Sequence, residues 1–280
     1  MGIVNVTPDS FSDGGLYANH TMAQAHCEQL LQQGANILDI GGESTRPGAT
    51  PLPYEEELAR IVPVVRHAVT LGVPVSVDSY KPRVMQTVLD MGADIINDVW
   101  ALRWQPVQAQ ATAAPAVDAR QVVAMHPHCG VCLMHMHREP QTMQLAPMQG
   151  DVVPQVREFL ASSAAELQAL GVHPSRICID PGIGFGKTVA QNFALLARQA
   201  ELAALGYPLL AGWSRKSSLA AVCGMAPDAA QNTAQHPRML PSVTAAVLAV
   251  NNGARVVRVH DVKETVQALQ VWAAMQTESN

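Results

Sequence analysis

The sequence predicts an α/β protein with a (β/α)₈ TIM-barrel fold in a single domain over residues 1–280. Short apolar segments alternate with longer amphipathic segments from one end of the chain to the other. Eight such apolar segments occur, and regular alternation of strands with helices is typical of parallel α/β sheets. The length of 280 residues fits one domain of this class.

The predicted strands are short and largely apolar, as expected of parallel strands that are covered on both faces. A doubly wound sheet is the structural alternative. It usually has fewer strands and carries a local nucleotide-binding motif, and neither feature is found. The eight predicted strands are Gly2–Val6, Asn36–Ile40, Pro74–Val77, Asp94–Asn97, Val131–Met134, Ile177–Ile179, Pro208–Ala211 and Arg255–Val259.

The segments between the strands have the apolar spacing of amphipathic helices, and a glycine closely follows six of them, as is common after a helix C-terminus. The Ala-, Gln- and Pro-rich stretch Trp104–Arg120 is predicted to be an irregular connection before a helical turn. The predicted helices are Thr21–Gln33, Tyr54–Val69, Arg83–Met91, Val152–Leu170, Gln191–Leu205, Val243–Asn251 and Lys263–Met275, and the glycines are Gly34, Gly72, Gly92, Gly171, Gly206 and Gly253.

The composition argues against some classes of partner. A formal net charge of −5 is not that of a protein whose main partner is a nucleic acid or a membrane surface. No apolar run approaches the roughly 20 residues that span a bilayer, and no export signal is visible at the N-terminus. The five cysteines are an odd number and lie mostly in apolar runs, so reduced thiols in a cytoplasmic protein are expected.

Polar and charged residues stand at the ends of all eight predicted strands. In a barrel the C-terminal ends of the strands converge on one rim, which is where such enzymes bind and react with their substrates. The rim is therefore the predicted site. Its candidate residues are Asn5, Asp39, Glu43, Asp78, Asn97, His135, His137, Asp180, Ser214, Lys216, Arg258 and His260.

Asp78, Asn97 and Asp180 follow the third, fourth and sixth predicted strands. A carboxylate in a closed position is costly unless something pairs with it. A flat heterocycle with adjacent N–H donors, such as a 2-amino-4-oxo pterin, would satisfy these groups. The alternative is an internal salt bridge with Lys216.

Arg46, Arg258 and His260, with Asn5, form a candidate site for an anion and a metal ion. A guanidinium suits phosphate, and Mg²⁺ takes oxygen ligands such as an amide carbonyl and phosphate oxygens. The alternative is that Arg258 and His260 only cap the barrel together with Asp261.

Two glycine- or serine-containing segments lie near the same rim. The segment Asp180–Thr188 resembles a phosphate-binding loop, but Pro181 stands where that motif needs a glycine. It is therefore predicted to be a turn that lets backbone approach a ligand, with Phe185 as an aromatic wall. The segment Ser214–Ser217 is a candidate site for a carboxylate.

Histidines and cysteines cluster between residues 126 and 137, which raises the possibility of a zinc site. Cys129 and Cys132 have the spacing of one half of such a site, but no second matched pair is present. Structural strand residues with one or two rim histidines are the favoured interpretation.

Five motifs, in order along the chain, resemble the signatures of dihydropteroate synthases between Met1 and about Ala273. The resemblance implies a Mg²⁺-dependent transferase that joins a dihydropterin pyrophosphate to 4-aminobenzoate on the route to folate. It also implies a cytoplasmic homodimer and a sulfonamide target. The motifs are Met1–Gly15, Ile40–Gly48, Asp180–Lys187, Ser214–Ser217 and Arg258–Asp261.

The resemblance also implies a role for each candidate residue. Two loops, near Thr7–Ala18 and Glu43–Pro53, would close over the substrates, and Asp13, Lys216 and Arg258 would take part in catalysis. Asn5 would coordinate Mg²⁺ through the pyrophosphate. The pterin and its pyrophosphate would be held by Thr45, Asp78, Asn97, Asp180, Lys216, Arg258 and His260, and 4-aminobenzoate would be surrounded by Thr45, Arg46, Pro47, Phe185 and Ser217.

Four features depart from the family pattern. Arg138 stands where a glycine is common, Pro241 precedes Ser242 where a glycine is frequent, and Trp213 is unusual beside its motif. The chain also begins at the first predicted strand, so the N-terminal segment that usually covers the barrel bottom is expected to be missing. These differences are expected to affect stability, the shape of the rim and affinity rather than the reaction.

Three other functions are compatible with parts of the pattern. A related barrel binds a methylated folate and passes its methyl group to a corrinoid, but it would not need the Ser214–Ser217 and Arg258–His260 elements. A Schiff-base aldolase would use Lys216, and borohydride trapping would detect it. A pterin-binding protein without catalysis would bind its ligand without turnover.

Overall fold

The computed structural model describes residues 1–7, 15–45, 48–105, 117–226 and 236–277, without the side chains of residues 15–18. In these residues short strands alternate with helices. The strands are β1 (Gly2–Asn5), β2 (Leu38–Gly41), β3 (Val75–Asp78), β4 (Ile95–Asp98), β5 (Gly130–Met134), β6 (Ile177–Asp180), β7 (Leu210–Ala211) and β8 (Val256–Val257).

The helices lie between the strands in chain order. They are α1 (Gly15–Gln32), α2 (Tyr54–Ala68), α3 (Pro82–Asp90), α4 (Ala119–Met125), α5 (Val152–Ala169), α6 (Val189–Ala197), α7 (Gln199–Ala203), α8 (Ser217–Val222), α9 (Met239–Asn251) and α10 (Val262–Thr277).

All strand pairs are parallel and run in chain order. β1 to β6 form one sheet, and β7 pairs with β8. Two parallel bridges join these groups, one between Ile179 and Leu209 and the other between Gly2 and Val259. The Ile3 amide also donates to the Val259 carbonyl at 3.0 Å. The strands therefore follow one another round a closed ring, which confirms the predicted TIM barrel.

Side chains along the strands alternate between the surrounding helices and the inside of the barrel. In β3, Val75 and Val77 are fully buried in the core against the helices, whereas Ser76 and Asp78 face the interior. β6 follows the same alternation and ends on Asp180. The apolar core thus lies outside the ring, and polar groups collect inside it near the C-terminal ends of the strands.

The predicted strands are confirmed in number and order, with changes at their ends. β7 and β8 have only two residues each, shorter than predicted. The predicted helix Gln191–Leu205 is wrong as one element, because the backbone at Arg198 (φ −107°, ψ 21°) leaves the helical region and separates α6 from α7. The helical turn expected after the irregular stretch is α4, whose start is capped by the Asp118 carboxylate.

The glycines predicted to follow helices are confirmed in that role. All six have a positive φ, between +74° and +100°. Among the described helices, none has both the length and the apolar character needed to cross a membrane.

Candidate active site

Several predicted residues stand at one level of the barrel, at the C-terminal ends of neighbouring strands. The register pairs Asn5 with Gly41, Gly41 with Asp78, and Asp78 with Asn97. Asn97 is buried, and Asn5 and Asp78 are half-buried. Parallel pairing without a register shift therefore brings three residues that are far apart in sequence to one side of the rim.

Arg258 crosses the barrel from the end of β8 and binds two carboxylates. Its Nε donates to Asp39 Oδ2 at 2.6 Å, and its Nη2 donates to Asp78 Oδ2 at 2.7 Å. Asp78 therefore pairs with Arg258, and not with Lys216 as in the alternative considered from the sequence. Burial raises the pKa of Asp78 to about 7, and the nearby guanidinium opposes this rise.

Asp39 is fully buried and is the centre of a polar network. Its carboxylate accepts hydrogen bonds from Ser76 Oγ at 2.6 Å and Asn97 Nδ2 at 3.3 Å, in addition to Arg258. The sequence placed Asp39 near a strand end but assigned it no role. Its partners are 37 to 219 residues away along the chain, so only the barrel topology identifies it as the residue that orients Arg258.

Asp180 ends β6 and shapes the glycine-rich segment that follows. Its Oδ1 accepts the Gly182 amide at 2.7 Å, and burial raises its pKa. Gly182 has φ +67°, and a Cβ there would overlap the carbonyl oxygen of His135. Only glycine fits at this position, which lets the turn lie directly against β5 and its following loop.

Lys187 explains why this segment is not a phosphate loop. Its Nζ is buried and donates to the carbonyl oxygens of Gly182 at 2.9 Å and Phe185 at 3.1 Å, and it contacts His135 Nδ1 at 2.9 Å. Burial lowers the pKa of Lys187 to about 7. The amino group therefore holds the turn together from inside and does not point to a ligand.

Lys216 and Phe185 lie side by side at the rim. Lys216 Nζ is 4.4 Å from the centre of the Phe185 ring, a cation–π contact. The Lys216 side chain also passes close to Gly184, where a Cβ would lie 3.3 Å from its Cδ. Burial lowers the pKa of Lys216 to about 8, and Asp180 opposes this effect. The glycine-rich turn thus positions both an aromatic surface and a cation.

The segment before Lys216 is fixed by β8 and α9. Arg215 has φ +59°, unusual for a residue other than glycine, and its amide donates to Ser242 Oγ at 2.8 Å. Its side chain binds Asp261 at 2.7 Å, so Asp261 does not pair with Arg258. Ser214 Oγ lies 2.9 Å from Nδ1 of His260, which joins the ends of β7 and β8.

Trp213 and Pro241, two of the residues that depart from the family pattern, fit their positions in the fold. Trp213 is 1% exposed and packs against Phe193 with 5.2 Å between ring centres. Pro241 lies in the first turn of α9, where its missing amide would have no partner in the helix. Arg138, which stands where a glycine is common, has φ +62°.

Two further predicted site residues, Thr45 and Ser217, follow β2 and β7. Ser217 is exposed at the first position of α8, and Thr45 is half-buried after β2. Asp13, Arg46 and Pro47 lie outside the described residues, as does most of the first of the two predicted loops.

The candidate zinc ligands do not share one location. Cys129 precedes β5 and His135 follows it, so they lie at opposite ends of the strand. His126 Nδ1 lies 2.7 Å from the Val122 carbonyl, and His135 contacts Lys187. Within the described residues, no three His, Cys, Asp or Glu side chains are grouped so as to hold a metal ion.

The arrangement has two chemical parts. Buried carboxylates near the barrel centre can accept hydrogen bonds from a flat ring with N–H donors, and Lys216 and Arg258 can attract an anionic group. The Phe185 ring is buried and lies under the Lys216 ammonium at the same rim. These are properties of a site for a flat heterocycle that carries an anionic group.

Comparison with known proteins agrees with this description. Residues 1–260 match the model of the pterin binding enzyme family. A dihydropteroate synthase from Neisseria meningitidis serogroup C is 47% identical over 278 residues, which is 98% of this chain and 92% of that protein.

Two solved structures are similar over almost the whole chain. The Xanthomonas albilineans dihydropteroate synthase with 4-aminobenzoic acid has a TM-score of 0.85 and 46% identity, over 99% of this chain and 92% of that one. The Yersinia pestis dihydropteroate synthase in a sulfonamide drug complex has a TM-score of 0.86 and 40% identity, over 99% and 94%. The chain therefore belongs to the dihydropteroate synthase family of pterin-binding enzymes.

Proposed function

We propose that this protein is a transferase that condenses 6-hydroxymethyl-7,8-dihydropterin pyrophosphate with 4-aminobenzoate, giving 7,8-dihydropteroate and pyrophosphate. The observation that carries the proposal is the group of Asp39, Asp78 and Asp180 around the barrel end, with Arg258 between two of them. Relatives of nearly full length bear the name of this activity. A methyl-transferring barrel would not need the Ser214–Ser217 and Arg258–His260 elements, and borohydride trapping with a carbonyl substrate would detect a Lys216 aldolase.

The pterin ring is assigned to Asp78, Asn97, Asp180 and Lys216. A pterin has N–H donors along its pyrimidine edge, and buried carboxylates without ligand have raised pKa values because burial penalises their charge. Each charge-assisted hydrogen bond to the ring would contribute about 1.5–3 kcal/mol. Binding of the pterin would therefore offset the cost of burying these carboxylates.

The pyrophosphate is assigned to Arg258 and His260, and Thr45 is assigned to the boundary between the pyrophosphate and 4-aminobenzoate. Hydrogen bonds to Asp39 and Asp78 use only two of the guanidinium's five N–H donors, so others can reach an anion. The same two carboxylates fix the direction of the guanidinium before any substrate arrives. Such preorganisation supports stabilisation of the negative charge that grows on a departing pyrophosphate.

Mg²⁺ is proposed as the cofactor, with Asn5 as its protein ligand. The donor chemistry fits, since Asn5 presents a half-buried amide oxygen at the rim, on the strand next to Gly41. Mg²⁺ commonly takes few protein ligands and completes its shell with phosphate oxygens and water. When bound, it would neutralise charge on the pyrophosphate.

The second substrate, 4-aminobenzoate, is assigned to the side of the rim formed by Phe185 and Ser217, with Arg46 and Pro47. Its amine is a neutral nucleophile, so the reaction needs no strong general base. The dihydropterin ring can stabilise a cationic exocyclic methylene, so pyrophosphate departure can precede attack. Lys216 contacts the Phe185 ring, and it is assigned to the boundary between the two substrates. Asp13 is proposed to face the arylamine.

Product identification tests the proposal. Incubation of the protein with the dihydropterin pyrophosphate, 4-aminobenzoate and Mg²⁺ should give dihydropteroate, detected by mass spectrometry. Binding of the pterin without any product would instead favour a non-catalytic pterin-binding protein.

Sulfonamide inhibition is a related expectation, because the similar Yersinia pestis enzyme was solved with a sulfonamide drug. A sulfonamide should lower the initial rate competitively with 4-aminobenzoate. A rate that does not change under excess drug would contradict this part of the proposal.

A homodimer is proposed through α9 and α10, and a cytoplasmic location stays a prediction. Four exposed large apolar side chains lie on these two helices, namely Leu240, Leu248, Val271 and Met275, and apolar groups gathered at a surface mark an interaction site. Sedimentation should give twice the chain mass, and Val271→Glu should shift the protein towards the monomer.

A further inference from the structure

A buried lysine that has no role in the site described above lies beside the segment that follows β2. Lys81 directly precedes α3 and is 5% exposed. Its Nζ donates to Glu57 Oε2 of α2 at 2.5 Å and also contacts the Glu43 carboxylate. The side chains of Glu57 and Glu43 are 1% and 8% exposed. One cation thus joins two helices to the residue that continues β2 at the rim.

Both oxygens of the Glu43 carboxylate have partners. Tyr80 donates its hydroxyl to Glu43 Oε1 at 2.7 Å, and Lys81 binds the other oxygen. The Lys81 amino group also lies 4.6 Å from the centre of the Tyr80 ring. The ring in turn packs against Trp104 with 5.3 Å between centres. Glu43 is therefore held in one orientation by its two neighbours from the end of β3.

The backbone next to Glu43 is fixed as well. Arg60 Nη1 of α2 donates to the Gly42 carbonyl at 2.9 Å. A Cβ on Gly42 would lie 2.7 Å from Cγ2 of Ile61, so only glycine allows this close approach. Further on, the Gly48 amide donates to the Pro140 carbonyl at 3.4 Å. The segment that carries Thr45 is thus attached at its start by α2 and Lys81.

A buried ion cluster of this kind is a weak source of stability, because removing charges from water costs about as much as their attraction returns. What it provides is one defined geometry. Apolar side chains could pack α2 against α3, but they would not fix the direction of Glu43 and the backbone that follows it. Burial also raises the pKa of Glu57, consistent with one lysine serving two closely spaced carboxylates.

We propose that Lys81 is a positioning residue for the arylamine substrate: through Glu43 it fixes the segment Gly42–Thr45 at the edge of the active site. The inference rests on the proposed function, in which 4-aminobenzoate is assigned to Arg46 and Pro47, the two residues that directly follow this segment in the sequence. Asp180 lies on β6 and Asn97 on β4, and both are held by contacts that do not involve Lys81. Loss of Lys81 should therefore weaken use of the arylamine more than binding of the pterin.

The test compares Lys81→Met, Glu43→Ala and the double variant. Each should raise KM for 4-aminobenzoate about tenfold, a smaller effect than the roughly 10²-fold that a 1 Å misplacement of the reacting groups costs in rate. The Kd of the dihydropterin pyrophosphate should stay within about twofold. The double variant should be no worse than the more affected single variant, because both changes break one connection. Glu43→Ala keeps the Lys81–Glu57 pair, so it provides a folded variant if Lys81→Met does not fold.

The matched control is Arg176→Met. Arg176 has partly buried hydrogen bonds, to the carbonyl oxygens of Val123, His126 and Cys129, at the opposite end of the barrel. This variant should lose stability without a change in KM for 4-aminobenzoate. Equal loss of pterin and arylamine affinity in Lys81→Met, or additive effects in the double variant, would overturn the inference.

A readout that does not depend on turnover separates this inference from the proposed function. Amides of residues 42–45 should exchange hydrogen faster in Lys81→Met than in the parent protein, whereas those of residues 182–187 should not. If the parent protein makes no dihydropteroate, the proposed function fails, and the exchange result still decides the role of Lys81. Unchanged exchange at residues 42–45 would overturn it.

Discussion

Arg258 shows how residues far apart in sequence form this site. It binds Asp39 and Asp78, which are 219 and 180 residues away. Its position at a strand end predicted a place on the rim, and this is correct. Its partners could not be predicted from sequence, because the sequence gives no measure of which rim residues lie opposite one another. Asp39 was missed as the orienting group for the same reason.

Asp180→Asn tests the pterin assignment at the level of one residue. Asparagine keeps an oxygen that can accept the Gly182 amide, so the turn should remain, while the negative charge is lost. Pterin affinity should fall about 10- to 100-fold, the equivalent of one charge-assisted hydrogen bond. Calorimetry with the dihydropterin pyrophosphate measures it. Asp151→Asn, at an exposed helix cap, is the control and should bind normally. Normal affinity in Asp180→Asn would remove this residue from the pterin site.

Arg138→Gly tests a backbone effect at a single residue. With φ +62°, Arg138 occupies the left-handed region, which costs about 1–2 kcal/mol for a residue other than glycine. Glycine removes that cost but loses roughly 0.5–1 kcal/mol of chain entropy, so unfolding free energy should rise by about 0.5 kcal/mol. In contrast, Arg66→Gly inside α2 should lower it by about 1 kcal/mol. Urea unfolding measures the free energy of unfolding of both variants. A similar loss of that free energy in Arg138→Gly and Arg66→Gly would contradict backbone strain at Arg138.

At the scale of elements, the turn between β6 and α6 is built around Lys187. The glycines were interpreted as letting the backbone approach a ligand, and this stays a prediction; in the structure Gly182 and Gly186 approach the backbone of His135 and His137. Pro181 stands where a phosphate loop needs a glycine, which agrees with the buried position of the Lys187 amino group. The direction of Lys187 was not predicted, since an amino group bound to its own turn has no sequence signal. Glu57 and Lys81 were missed because a charge in an amphipathic helix or at its start is usually solvated.

The packing of this turn against β5 predicts a pH dependence of stability. Burial lowers the pKa of His135 to about 2, and the charge of Lys187 adds to the effect. In the unfolded chain the pKa is about 6.5. Between these values the unfolded state binds a proton that the folded state does not. The contribution of His135 to stability is therefore fully present above pH 6.5 and is lost as pH falls, by up to about 1.4 kcal/mol per pH unit.

His135→Gln should remove this contribution. Urea unfolding between pH 7.5 and pH 5 should show a smaller loss of free energy per pH unit in the variant than in the parent protein. His128→Gln is the control, since His128 is exposed just before β5. If the unfolding free energies of the parent protein and His135→Gln change with pH by the same slope, the result would contradict a neutral, buried His135.

At the scale of the whole molecule, the closed barrel converts eight local patterns into one site. The period of the apolar residues predicted the strands and their order, and the ends of β7 and β8 differ because parallel pairing there is limited to two residues. The bridge between Gly2 and Val259 brings the first and last strands together and so places Arg258 beside Asp39. Nothing local in the sequence predicts this long-range closure except the count of strands.

Arylamine-dependent pyrophosphate release is the measurement that tests the central claim most directly. The protein is mixed with the dihydropterin pyrophosphate and Mg²⁺, with and without 4-aminobenzoate, and pyrophosphate is followed with time. We expect release that requires the arylamine and matches the dihydropteroate formed in a one-to-one ratio. Tight pterin binding with no release under either condition would contradict a synthase and leave a pterin-binding protein without catalysis.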